Sequence, residues 1–418
     1  MTRKTVLDNG IRILTQQMPH VHSVSMGVWV NAGARDETSA ENGLSHLIEH
    51  MIFKGTTRRS AFQIAKEFDA IGGQTNAFTS MENTCYHARV MDTHLATMAE
   101  ILTDIFLNSR FSQDELEKER PVICQEIGMV EDSPEEYVHV LSAANYWGEN
   151  PLGQSILGTR ENVLKFNAST VADFFQHLYQ PDRIVISASG NLEHDRFVDL
   201  VGPAFETIGQ PNGFPDRQTP EGRSCVAVYS RDLEQVHICC NTRGLSITDP
   251  RRYAFSLLNT VLGGNMSSRL FQEIREQRGL AYSVYSFISS YEDTGIFGVY
   301  AGVAPEKVTE AMDLIAGELQ RVKKTAVTSG ELHAAREFTK GNLLLAAESV
   351  DNQMVRLAQN EIHFGRYVPI EEIVKRIETV TGADILELAN FIFQPGQMSL
   401  TILGPASGDQ PFKKFLAI

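Results

Sequence analysis

The sequence predicts an α+β chain made of two similar domains, each an antiparallel sheet packed with helices. Three observations lead there. At 418 residues the chain is long enough for two or three domains and a sizeable buried core. Strand and helix periodicities alternate through the first half, and the same order of elements returns in the second, as an internal duplication requires. Between the halves, residues 210–223 (QPNGFPDRQTPEGR) are rich in Pro, Gly and polar side chains and carry no apolar period, so they read as a linker. The expected domains are therefore 1–209 and 224–418.

Each element has a local reason. Thr5-Val6-Leu7 and Ile11 to Thr15 flank Asp8-Asn9-Gly10, which predicts an opening hairpin whose Asn-Gly supplies the positive φ of a tight two-residue turn. Ser23 to Val30 alternates apolar with small or polar residues and predicts a strand. After Gly33 the period becomes helical through Gly43 to Met51, with Gly55 as the stop. Ser60 suits the N-cap of a helix over Ala61 to Ile71 that ends at Gly72-Gly73, and two extended runs follow, Gln74 to Ser80 and Asn83 to Met91. Helical patterns then dominate to Tyr179, Ile184 to Ser189 returns to strand, and Leu192 to Ile208 to helix.

The second half repeats this order. A strand at Gln235 to Asn241 precedes a helix at Arg252 to Leu262, a glycine pair, a helix at Leu270 to Gln277, and paired strands at Tyr282 to Ser290 and Gly295 to Gly302. Laying His46–Gly55 on Phe255–Gly264 matches most apolar positions and the terminal glycine. Phe255, Leu258 and Asn259 then stand opposite His46, Glu49 and His50, so whatever chemistry the first copy performs, the second lacks.

Charge and cysteine usage narrow the function. With 37 Lys+Arg against 52 Asp+Glu the formal charge is −15, a field that repels phosphate backbones and attracts cationic peptides; nucleic acid is excluded as the expected partner. The five cysteines form no C-x-x-C pair, which fits reduced thiols. No window of about 18 apolar residues exists, which argues against a membrane span. The opening MTRKTVLDNG lacks both the apolar core of a signal peptide and a long Arg/Ser-rich leader. The expectation is a cytoplasmic chain of bacterial type, with a mature mitochondrial matrix protein as the alternative.

The sharpest chemical signal is His46-Leu47-Ile48-Glu49-His50. On a helix, residues four apart share a face, so both imidazoles can reach one cation with Glu49 beside them. Zinc suits two imidazoles, and a catalytic zinc takes a third protein ligand while keeping one position for water. A second helix offers carboxylates: Ser112-Gln113-Asp114-Glu115 has the form of a capping box introducing Leu116 to Val130, which places Glu119 and Glu126 seven apart on one face. Pro121 lies between them and predicts a kink or a late helix start. Taken alone, Glu126 reads as part of a solvated helix face.

H-x-x-E-H is the inverted zincin motif, and the chain resembles the pitrilysin-type metallopeptidases over nearly its whole length, in particular the subgroup of the mitochondrial processing peptidase β subunit and its bacterial relatives. That family has a third ligand, a Glu far downstream of the second His, with another Glu seven residues before it; Glu126 and Glu119 stand at those positions. The resemblance implies His46, His50 and Glu126 as zinc ligands, Glu49 as general base and Glu119 as a supporting acid.

It also implies that Gly72 to Thr79, with Asn76, Ala77 and Phe78, is an edge strand that pairs with extended substrate. Arg275 and Tyr282, seven apart in the second half, resemble the pair that reaches toward substrate from the zinc-free domain, with Tyr282 supporting the oxyanion. An acidic pair that reads a basic residue near the cleavage site is only half matched, by Glu136 with Val140 in place of the second acid. Leu262-Gly263-Gly264-Asn265-Met266 is too poor in glycine for the loop of the non-catalytic α subunit.

The implied protein is half of a peptidase clamp. It is expected to be a zinc endopeptidase that cleaves unfolded peptides or extended segments inside a chamber, and to pair with a second copy or a homologue. A preference for basic peptides would rest on net charge alone. The rival expectation is a non-catalytic structural or assembly subunit of the same fold.

Overall fold

A computed structural model describes residues 2–211, 213–214, 216–406, 408 and 410–417. They form two compact units, each drawn from three stretches of chain. The first comprises Met1–Gly128, Gln154–Arg217 and Leu345–Tyr367; the second comprises Met129–Gly153, Gln218–Leu344 and Val368–Ile418.

Six strands build the sheet of the first unit: β1 (Thr2–Val6), β2 (Arg12–Gln17), β3 (Ser23–Val30), β4 (Gln74–Thr79), β5 (Thr84–Met91) and β6 (Ile184–Gly190). Their order is β1-β2-β6-β3-β5-β4, antiparallel except where β2 runs parallel to β6. Strand alternation divides two apolar layers. Val24, Met26, Val28 and Val30 of β3 join Leu47, Ile48, Ile101 and Ile105 on one face. Trp29 of β3 and Val185 of β6 point the other way, onto Met354, Leu357 and Ala358 of the helix Val350–Phe364. Covered on both faces, β6 has no exposed residue.

The second unit holds β7 (Val226–Ser230), β8 (Val236–Arg243), β9 (Ala281–Ser290), β10 (Gly295–Val303) and β11 (Ser399–Gly404), in the order β7-β11-β8-β10-β9. Taken in chain order, β7 to β11 correspond one for one to β2 to β6. The sense matches too, down to the single parallel pair, β7 with β11. The helix Pro134–Trp147 covers one face of this sheet, packing Val138 on Cys239, Tyr300 and Leu403.

Three expectations change. A division into continuous halves misplaces two helices: Pro134–Trp147 packs in the second unit and Val350–Phe364 in the first. The sequence pattern of a helix shows which face is apolar but not which sheet will cover it. The first part of the linker is docked on the first unit, where Phe214 packs on the core and Arg217, its side chain 8% exposed, pairs with Asp36 at 2.8 Å. The opening hairpin has a wider turn, closed by the Leu7 N–H donating to the Ile11 carbonyl at 2.9 Å. Gly10 alone takes positive φ there, at 95°, while the Asn9 side-chain amide donates to the carbonyls of Phe205 and Ile208.

All five cysteines are free, and no helix among the described residues is long and apolar enough to cross a membrane.

Candidate metal centre

The motif lies on a short helix, Leu44–Met51. Leu44, Leu47, Ile48 and Met51 are buried in the first core, which fixes the helix rotation and turns positions 46, 49 and 50 away from it. The helix enters through Gly43 at φ 105°, where a Cβ would lie 2.9 Å from Gly158 Cα, so only glycine fits. The second helix runs unbroken from Gln113 to Asp132, across Pro121, so a late start is not seen. Buried Leu116, Ile123 and Ile127 anchor it on both sides of the proline. Of the expected capping box, the Ser112 hydroxyl accepts the Glu115 N–H at 3.4 Å.

The two helices bring His46, His50 and Glu126 together, one donor atom from each lying within 4.8 Å of the others. Glu126 Oε2 stands 3.6 Å from His46 Nε2 and 3.4 Å from His50 Nε2. Two zinc bonds of about 2.1 Å meeting at a tetrahedral angle put their outer atoms about 3.4 Å apart, so the spacing fits a shared ion. Glu126 Oε2 is also buried without a hydrogen-bond partner among the described residues, which is costly unless a cation faces it. Burial and the neighbouring His50 push His46 down to about 4, leaving the neutral imidazole that a metal requires.

Around this trio lie further polar groups. His50 Nδ1 is 3.1 Å from Glu119 Oε2, and the other Glu119 oxygen accepts from Lys54 Nζ at 2.6 Å. Burial raises the Glu49 carboxyl above its ordinary value, an effect that hydrogen bonds from the Thr79 hydroxyl and backbone N–H partly offset. Glu49, His50, Phe53 and Lys54 line a cleft of about 430 Å³ with Ile64, Thr75, Asn76 and Ala77.

β4 is a sheet edge, paired among the described residues with β5 alone. Its alternation places Thr75, Ala77 and Thr79 on one face, with Asn76 and Phe78 on the other. There Phe78 meets the ring of Trp29 edge-on at 5.4 Å. Asn76 Oδ1 accepts the Ala77 N–H at 2.9 Å, blunting an otherwise open edge.

The remaining candidates belong to the second unit. Arg275 stands on a wide, π-type helical segment, Phe271–Glu276, its guanidinium 4.8 Å from the Phe271 ring and 5.0 Å from the Tyr282 ring. Tyr282 is 78% exposed on β9, and Glu136 is exposed on the helix Pro134–Trp147.

Comparison with known proteins shows the family. The model of the insulinase family (peptidase family M16) matches residues 12–160, and that of the M16 inactive domain matches residues 165–338. The Bacillus subtilis protein named "uncharacterized zinc protease YmxG" is 40% identical, covering 98% of this chain and all of its own length. The chain belongs to the M16 peptidase family. A Rickettsia felis protein, also named as a zinc protease, is 37% identical over 96% of each chain. A protease from Helicobacter pylori shares the fold with a TM-score of 0.89 at 20% identity, over 96% of this chain and 99% of its own.

The segment matching the insulinase family model contains all of His46, Glu49, His50, Glu119 and Glu126, whereas the segment matching the M16 inactive domain contains Arg275 and Tyr282. Sequence reading missed Lys54 and Thr79. Lys54 follows His50 by four residues and carried a readable signal in that spacing. Thr79 reaches Glu49 only because β4 folds against the motif helix, and no local pattern announces it.

Proposed function

We propose that this M16 chain is a zinc-dependent endopeptidase acting on unfolded peptides or extended protein segments. The observation that supports it most is the convergence of His46, His50 and Glu126 on one point, with Glu49 at the wall of a cleft bounded by the edge strand β4. Zinc held by these three side chains would supply Lewis acidity and lower the pKa of a water in the remaining position.

The chain's own groups supply the rest. Glu49 takes a proton from the attacking water and returns it to the leaving amine; its raised basicity suits that exchange. Glu119 orients His50 through Nδ1 and is held in turn by Lys54. An extended peptide adds to the edge of β4 beside Asn76 to Phe78, so recognition is largely through the backbone. Arg275 and Tyr282 are assigned as donors to substrate carbonyl oxygens, and Glu136 as a contact for a basic substrate side chain. Pairing with a second copy or a homologue belongs to the same reading, and sedimentation velocity tests it.

The deciding experiment is cleavage of a quenched fluorescent peptide by the full chain, before and after chelation and zinc return, beside Glu49→Gln. Chelator-sensitive cleavage that is restored by zinc and lost in Glu49→Gln supports the proposal. Absence of chelator-sensitive cleavage in the wild type across a broad peptide set would leave the non-catalytic subunit as the reading.

A further inference from the structure

We propose that Glu37 is the positioning residue of His46, holding the first turn of the motif helix and thereby setting where that imidazole stands. The inference rests on the metal reading above. His50 and His46 are oriented by different means. The second nitrogen of a metal-binding imidazole ordinarily hydrogen-bonds a carboxylate, carbonyl or water that fixes the ring. His50 follows this pattern through Glu119. His46 does not: its Nδ1 is buried with no hydrogen-bond partner among the described residues, so its placement is left to the backbone.

A buried carboxylate takes a direct part in holding that backbone. Glu37, only 2% exposed, accepts the Ser45 N–H at 2.7 Å on Oε1; on Oε2 it accepts the Gly43 N–H at 2.8 Å and the Asn42 side-chain amide at 3.1 Å. A helix start leaves several N–H groups without intrahelical partners, and a Gly43 N-cap has no side chain to accept them. Glu37 serves both N–H groups from outside the helix. The residue after Ser45 is His46. Buried Leu44 and Leu47 and the Leu44 N–H bond to the Glu41 carbonyl at 2.9 Å also hold this turn, while among the described residues Glu37 alone takes up the Ser45 N–H that precedes His46.

The loop that carries Glu37 is itself anchored. The Asn42 side-chain amide donates to the Ser155 carbonyl at 2.9 Å, and the Asn162 amide donates to the Asn42 carbonyl at 3.2 Å. The neighbouring Asp36 makes separate contacts, with Arg217 and the Gly33 N–H, so it provides a control for damage to the loop alone.

The test uses the metal-free full chain as wild type, Glu37→Gln and Asp36→Asn, each at a temperature where circular dichroism shows it folded. Zinc affinity is read by competition with a chromophoric chelator, and backbone mobility by hydrogen exchange at the amides of Ser45 and His46. Glu37→Gln is expected to bind zinc about tenfold more weakly and to exchange faster at those amides. Its zinc-saturated form should show a lower kcat with little change in KM. Asp36→Asn should melt earlier but bind zinc with wild-type affinity.

Loss of melting temperature in Glu37→Gln with unchanged zinc affinity would overturn the proposal and make Glu37 merely structural. If the wild type binds no zinc, the metal reading fails by itself. Exchange then decides the clamp: faster exchange in Glu37→Gln upholds it, and unchanged exchange rejects it.

Discussion

The two units carry the same five-strand arrangement, yet the helix that follows the first central strand is used in opposite ways. In the first unit positions 46, 49 and 50 border the cleft or the metal point. In the second, Phe255 and Leu258 are sunk in the core, with Phe255 beside Phe297, and Asn259 Oδ1 accepts from the Ser286 hydroxyl at 2.7 Å. The acid-bearing helix differs likewise. Thr328 and Glu331 cap the second unit's helix Ser329–Ala346 as Ser112 begins that of the first, and counting onward places Ala335 and Asn342 where Glu119 and Glu126 stand. A single topology therefore tolerates either use. Burying a large apolar side chain contributes about 1.5–3 kcal/mol, which the first unit forgoes at the positions that face its cleft.

The comparison can be broken or sharpened by experiment. Removing metal has the largest expected effect: peptide cleavage should fall to background with chelator and return with one zinc per chain, measured by activity and metal analysis together. Two zincs per folded chain would contradict the assignment of chemistry to one unit. Glu49→Gln should lower kcat by about 10³-fold with the thermal midpoint nearly unchanged. Leu258→Ala, at the equivalent position of the second helix, should do the reverse. It is expected to destabilise by about 3 kcal/mol in denaturant titration while the folded fraction cleaves normally.

Glu119→Gln should weaken zinc binding by about tenfold, since His50 loses its oriented carboxylate; unchanged affinity in a chelator competition would remove Glu119 from the site. The smallest effect concerns acid stability of the second unit. Burial opposes ionisation of Glu331, but hydrogen bonds from Arg269 and Thr328 outweigh it and bring the carboxyl down to about 2. Its contribution is therefore complete above the ordinary glutamate value of 4.5 and is lost as pH falls through about 2. Glu331→Gln should show a flatter stability profile over that interval in acid titration followed by circular dichroism.

Much was legible in the chain. The strand Ser23–Val30 and the helix Arg252–Leu262 have the bounds that their periodicity predicts, and Ser60 caps its helix as expected. The duplication was visible in element order because each copy must bury the same sheet face. β7 and β11 escaped notice, as did the helices between β10 and β11. The imidazole pair was legible because one helical turn brings residues four apart to one face.

Local sequence therefore determined secondary structure, the paired imidazoles and the acids seven apart, all of which depend on contacts within a few residues. Tertiary structure alone decided the rest: which sheet the helices Pro134–Trp147 and Val350–Phe364 would cover, that the Asn9 amide would reach the carbonyls of Phe205 and Ile208, and that Glu37 and Thr79 would reach the motif helix. The physical reason is range. Backbone periodicity is set by neighbours along the chain, whereas a buried carboxylate finds its donors only after distant segments have packed and water has left.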